Sequence, residues 1–246
     1  MAETLIDNGF IYTVINISNH QFAEIVGLDV SDYKNIRTLL IPAMLGTYPV
    51  RAIREETFKD NGVIEQLYIQ GRQLIIGESA FEGCRNLEVI NVEGAPAEYG
   101  NPNSRIISIG KKAFKDCSSL KHVKIFSGPQ KVRLFEEAFA GCEQLSAFEL
   151  TICDWSQAVF AGCSHLTKVF VSKDAIIRKD ALYCASIINI RADNWKYADP
   201  SFLEDLKLRS RIVCLSDSPL VDLVYDGYSV KIQKSPEKNI RANMLS

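Results

Sequence analysis

The sequence predicts an α/β repeat solenoid: a parallel β-ladder with short helical turns between its strands and a non-repeat cap at the C-terminal end. Three observations carry this expectation. A frame A-F-x-x-C-x-x-L-x-x-V/I-x-I recurs in register, each copy closes on a run with period-two apolar positions, and residues 193–246 break the frame. Self-similarity at a period of 20 to 50 residues marks units that bury their apolar face only by stacking on neighbours.

The chain begins with "FIYTVINI" (from Phe10), whose alternation suits strands closing the exposed end of the first coil. Residues 1–50 are therefore expected to form an N-terminal cap and lead-in, and residues 51–192 the repeats. Phe81, Cys84, Leu87, Ile90 and Val92 form one copy, and Phe114, Cys117, Leu120, Val123 and Ile125 the next. Phe139, Cys142, Leu145, Phe148 and Leu150 follow, then Phe160, Cys163, Leu166, Val169 and Val171. Degenerate copies flank these four. Phe58, Asn61, Ile64, Leu67 and Ile69 put asparagine in place of cysteine, and Leu182, Cys184, Ile187 and Ile190 run one residue short.

Successive phenylalanines lie 23, 33, 25 and 21 residues apart, and the long spacing contains "EGAPAEYGNPNS", a glycine- and proline-rich surface loop inserted after a strand. Within each unit "LEVINV" or "LKHVKI" reads as a strand with one buried face. The preceding "GESAFEGC" or "GKKAFKDC" is about two helical turns long. Asn61 is expected to end the cysteine column where its surroundings become more polar.

At the C-terminal end "DPSFLEDLKLRSR" reads as a helix with Asp199 as N-cap and Pro200 at the first helical position. "RIVCLS", "LVDLVYDG" and "YSVKIQK" follow as short strands, the last two joined at Asp226 and Gly227. Residues 193–246 are thus expected to be a C-terminal cap.

Composition narrows the function. The chain has 246 residues, with 28 basic and 30 acidic side chains and a formal charge of −2. No global field draws nucleic acid. No apolar run is long enough to span a membrane. The start lacks a basic, apolar and small-residue leader, so the chain as written reads as cytoplasmic, or as cell-surface or secreted if a leader has been removed. Seven cysteines in a chain this large read as free thiols.

The frame, preceded by I-G, resembles the BspA-type leucine-rich repeat. "NIRTLLIPAMLGTYPVRAI" strengthens the likeness, with Tyr48, Pro49, Val50 and Ile53 matching the family's lead into its first repeat. The resemblance covers residues 10 to 192. It implies a right-handed leucine-rich solenoid of about six coils with a protein- or matrix-binding role, and no catalytic residue.

No chemistry competes with that reading. The sequence contains no G-x-S-x-G, G-x-x-x-x-G-K, H-E-x-x-H or G-x-G-x-x-G after a strand. Cys84, Cys117, Cys142, Cys163 and Cys184 lack close C-x-x-C pairs, and the histidines are only three, so no metal or cofactor is expected. Small apolar side chains filling a tight corner explain these thiols better. The expected function is non-enzymatic protein binding through the outward face of the strand ladder, with carbohydrate or matrix adhesion, or an activity in the C-terminal segment, as alternatives. Nucleic acid is not an expected partner, and the frame sets no oligomeric state.

Strand alternation names the surface. If Leu87, Ile90 and Val92 face inward, Val89 and Asn91 face outward. The same register selects Tyr68, His122, Lys124, Phe126, Glu149, Lys168, Phe170 and Arg191. Aromatic rings beside cationic groups are typical of interface centres.

Overall fold

A computed structural model describes residues 4–29, 35–71, 73–93, 106–125, 131–149, 153–166, 168–171, 176–177 and 189–192. The inserted loop after Glu93, Phe126, Leu182, Cys184, Ile187 and the whole of residues 193–246 lie outside the described residues.

Every described element is a strand. The chain opens with an antiparallel meander of β1 (Thr4–Asp7), β2 (Phe10–Ile17) and β3 (His20–Leu28). It continues through β4 (Thr38–Ile41), β5 (Met44–Leu45), β6 (Tyr48–Ile53), β7 (Gln66–Gln70), β8 (Leu74–Ile76), β9 (Val89–Glu93) and β10 (Ile106–Ile109). β11 (His122–Ile125), β12 (Lys131–Leu134), β13 (Ala147–Glu149), β14 (Cys153–Trp155), β15 (Lys168–Val171), β16 (Ile176–Ile177) and β17 (Asn189–Ala192) complete it.

Each coil contributes to two sheets. A front sheet of seven strands runs β4-β7-β9-β11-β13-β15-β17, with every pairing parallel. A back sheet continues the meander through β6, β8, β10, β12, β14 and β16, also in parallel from β3 onward. The back sheet goes beyond the sequence reading, which placed one strand in each unit. Its signal was present as alternating pairs, Leu74 with Ile76, Ile107 with Ile109, and Val132 with Leu134, all buried.

The meander pairs with the back sheet through β3 and β6. Phe10, Tyr12, Ala23 and Ile25 are buried in the common core. Arg54 ties it to the first coil by donating to Glu24 Oε2 from Nη2 at 2.6 Å and from Nε at 3.0 Å, and to Thr13 Oγ1 at 3.0 Å.

The segments expected as helical turns are successive tight turns, and the described residues contain no α-helix. The reason lies two residues on either side of each phenylalanine. Glu56 and Asp60, Ser79 and Gly83, Lys112 and Asp116, Glu137 and Gly141, and Ala158 and Gly162 all have φ between 54° and 77°. A left-handed residue costs about 1–2 kcal/mol for a non-glycine side chain and stops helix propagation. Hydrogen bonds between coils compensate. The Ser79, Phe81 and Gly83 amides donate to the Lys111, Ala113 and Lys115 carbonyls at 2.8 to 2.9 Å, and the next coil repeats this with Lys112, Phe114 and Asp116 onto Glu136, Ala138 and Ala140.

This turn face admits only some side chains. A Cβ on Gly83 would overlap Asp60 Oδ1, and one on Gly141 would overlap Asp116 Oδ1. The aspartate of one coil therefore occupies the space that a side chain on the next coil would need.

Inside, Phe58, Phe81, Phe114, Phe139 and Phe160 form one column, with successive ring centroids 4.9, 5.1, 5.2 and 5.9 Å apart and planes within 20°. Phe148 packs edge-on against Phe139 and Phe160. Stacked rings add about 0.5–1.5 kcal/mol per pair beyond burial. Phe114→Ala, which removes a ring stacked on both sides, should lower unfolding free energy by about 3–5 kcal/mol. Phe58→Ala, at the end of the column, should cost clearly less, and chemical denaturation of the two variants measures the difference.

Candidate functional site

The outward face of the front sheet is built by alternation. Leu67, Ile69, Ile90, Val92, Val123 and Ile125 are buried, which turns Gln66, Tyr68, Val89, Asn91, His122 and Lys124 to the other side. Parallel pairing then aligns these positions across coils. Gln66, Val89, His122, Ala147, Lys168 and Asn189 share one row. Tyr68, Asn91, Lys124 and Glu149 share the next, and Phe170 pairs with Arg191 farther along. Of the residues selected from sequence, Phe126 falls outside the described set, and Glu149, Lys168, Phe170 and Arg191 are placed by strand register alone.

One rung was missed. β4 pairs with β7, placing Thr38 beside Gln66 and Leu40 beside Tyr68. Leu40 is 49% exposed while Leu39 and Ile41 are buried. The alternation in "TLLI" could have revealed it, but the segment was read as a lead-in rather than as a strand.

Tyr68, Val89 and Asn91 are half-buried, and His122 and Lys124 are exposed. The Tyr68 hydroxyl donates to Gln66 Oε1 at 3.4 Å, and Asn91 Nδ2 donates to Glu93 Oε1 at 3.2 Å. Acidic groups at the adjoining corner are paired: Glu65 with Arg37 at 2.8 Å, and Glu88 with Lys121 at 3.0 Å.

The turn face carries a different electrostatic pattern. Lys59 bridges to Glu82 of the next coil at 3.4 Å, and Lys111 and Lys115 bridge to Glu136 and Glu137 at 3.1 and 2.6 Å. The Lys115 hydrogen bond holds Glu137 below the usual carboxylate range, and Ser79, then Lys59, do the same for Glu82. These are structural pairs on a face away from the strand rows.

A family model described as BspA type leucine rich repeat region matches residues 51–101 and 97–208, in six copies. The chain belongs to the BspA-type leucine-rich repeat family. Solved structures share the fold. A leucine rich cell surface protein from Faecalibacterium prausnitzii aligns at TM-score 0.55 and 19% identity, over 89% of this chain and 56% of that one. The T. pallidum leucine rich repeat protein aligns at 0.55 and 14%, over 95% and 100%. A leucine-rich repeat protein from Bacteroides ovatus aligns at 0.51 and 21%, over 87% and 57%. The chain thus spans little more than half of the first and third of these structures. No curated protein matches it in sequence.

The signature cysteine of these BspA-type repeats has a definite role here. Cys84, Cys117, Cys142 and Cys163 are buried, and their thiols donate to the carbonyls of Phe58, Phe81, Phe114 and Phe139, one coil back, at 3.1 to 3.2 Å. At the first coil Asn61 instead accepts the Val63 and Ile64 amides through Oδ1. Burial pushes the Cys84 thiol up to about 12 and raises Cys117 and Cys142 as well. A nucleophile needs thiolate, so these groups suit packing rather than catalysis. Among the described residues no cluster of three or more ligating side chains could hold a metal. No helix among them is long and apolar enough to cross a membrane.

Iodoacetamide at about pH 8, where an ordinary thiol is substantially ionised, should therefore leave Cys84, Cys117, Cys142 and Cys163 unmodified in the folded chain. All four should react after denaturation. Peptide mass spectrometry reads the outcome, and native-state alkylation at the rate of a free thiol would refute the buried column.

Proposed function

We propose that this chain is a non-enzymatic interaction module that binds a protein through the outward face of the front sheet. The observation that carries the reading is the alignment of aromatic, aliphatic and charged positions across coils: Leu40, Tyr68, Asn91, Lys124 and Glu149 occupy one row of parallel strands. Leucine-rich repeat scaffolds share their core and differ in such surface positions, which is where specificity resides. An exposed Leu40 beside a half-buried Tyr68 supplies the apolar centre that interfaces use, with cationic and amide groups around it.

The Faecalibacterium relative is named as a cell surface protein. That supports a surface or secreted setting over a cytoplasmic one. A carbohydrate-binding adhesin is the competing reading, favoured by the Tyr68 ring with the Gln66 and Asn91 amides beside it, an arrangement suited to a sugar.

The test uses immobilised wild-type chain and a Tyr68→Ala, Phe126→Ala, Phe170→Ala variant in protein pull-down from the native host, together with a glycan array. The protein reading expects discrete captured species that the variant loses, and a silent array. Capture unchanged in the variant, or array signals that vanish with the same substitutions, would overturn it.

A further inference from the structure

The front sheet ends at β4, which pairs with β7 on one side and with no strand among the described residues on the other. Alternation along β4 fixes where its backbone groups point. The Gln66 amide donates to the Arg37 carbonyl at 2.9 Å, so Arg37, Leu39 and Ile41 direct their backbone groups to β7. Thr38 and Leu40 therefore turn an amide and a carbonyl each toward the open edge. Both residues are exposed, Leu40 by 49%.

An unpaired edge is a template for another strand, and proteins blunt such edges with charged side chains or proline. β1, at the end of the back sheet, follows that practice: it carries Asp7, whose Oδ2 accepts the Gly46 amide at 2.7 Å. β4 reads TLLI and carries neither charge nor proline. The charge beside it, on Arg37, is held at 2.8 Å by Glu65, on the β7 side. The four edge groups of Thr38 and Leu40 repeat at the two-residue spacing of a strand, about 6.8 Å. Another extended polypeptide backbone presents the complementary groups at that spacing; sugar hydroxyls do not.

We infer that the edge of β4 receives an extended segment of a partner polypeptide as an added strand, with an aliphatic or aromatic side chain beside Leu40 and a serine or threonine beside Thr38. This rests on the interaction reading of the front sheet and deepens it, because the added strand extends the row of Leu40, Tyr68 and Asn91 by one position. Main-chain bonds give such a contact its affinity, and alternate side chains give it specificity. Apolar pairs and hydroxyl pairs are among those that cross-strand neighbours favour. A linear segment fits better than a second folded copy. A stable interface between folded chains buries about 1,200–2,000 Å². β4 has four residues, a span of about 13 Å, and Pro42, which has no amide, follows at once.

The probe is a phage-displayed library of random linear peptides selected on the full chain, with the enriched sequences then measured as labelled peptides by fluorescence anisotropy. Selection should enrich an apolar residue two positions from a serine or threonine. Thr38→Pro removes one edge amide and keeps the fold, because proline is tolerated where the N–H of an edge strand faces solvent. It should weaken the selected peptides by about tenfold or more. Leu40→Thr, which keeps the backbone, should weaken them by about threefold. In hydrogen exchange the Thr38 and Leu40 amides should be fast in the free chain and protected once peptide is added, while those of Leu39 and Ile41 are slow in both. Methylating alternate amides of the peptide keeps the test independent of how the variants fold: methylation on the edge that meets β4 should abolish binding, and methylation on the other edge should not.

Selected peptides that bind Thr38→Pro as well as wild type, with the Thr38 and Leu40 amides unprotected, would overturn the inference. Loss of those same peptides with Tyr68→Ala would then leave the interaction reading of the sheet face standing. Failure to enrich any peptide would overturn the inference as well, and a dimer that Thr38→Pro dissociates would in that case make a second copy the occupant. If neither Thr38→Pro nor Tyr68→Ala changes the binding of any selected peptide and the pull-down is also unchanged, the interaction reading itself falls.

Discussion

The coils built on Phe58, Phe81, Phe114 and Phe139 complete their backbone hydrogen bonding only with the coil that follows. Around Phe58, Phe81, Phe114 and Phe139 the backbone takes left-handed turns that aim alternate amides away from the coil, and their acceptors are carbonyls of the next one. The cysteine thiol reaches the other way, to the phenylalanine carbonyl of the coil before. Leaving such buried groups unpaired would cost about 1–3 kcal/mol each. Stacking is therefore a condition for forming any unit, and the two sheets, the ring column and the flat strand face follow from it.

That constraint explains which letters repeat. Phenylalanine and cysteine recur, with a small or β-branched residue before the phenylalanine (Ala80, Ala113, Ala138, Val159), because all of these positions are buried in the shared core. The charges between them vary because they meet a different neighbour in each coil. Residues 110–134 hold seven lysines or arginines and a single aspartate, while residues 135–155 hold five acidic residues and no basic one. Lys111 with Glu136 and Lys115 with Glu137 connect the two. Exposed pairs of this kind contribute little stability individually. Their effect is to favour one coil order over another in a stack whose cores are nearly interchangeable. The alternation of Asp60 with Gly83 and Asp116 with Gly141 makes the same selection by volume.

Much of this was legible in the sequence, because a one-dimensional stack writes its contacts at a fixed period. Phe81 and Cys84 announced the column, Val89 and Asn91 the outward rows, and Asn61 the end of the thiol ladder. Three features were not. The turns were read as helical because "GKKAFKDC" is rich in helix formers, yet Lys112 and Asp116 adopt left-handed conformations that only the neighbouring coil stabilises. Leu40 was passed over because β4 precedes Phe58, the first phenylalanine of the repeat frame. The back sheet was hidden because strands such as Leu74–Ile76 are three residues long, too short for periodicity to separate from a loop.

Amide hydrogen exchange followed residue by residue tests the interlocked stack most directly. Phe81, Phe114 and Phe139 donate their amides across coils, so these protons should exchange only through global opening, at a common rate set by the whole stack. Exchange of any of the three as fast as an exposed turn amide, in the folded chain, would mean that its coil holds together without its neighbours and would contradict the account.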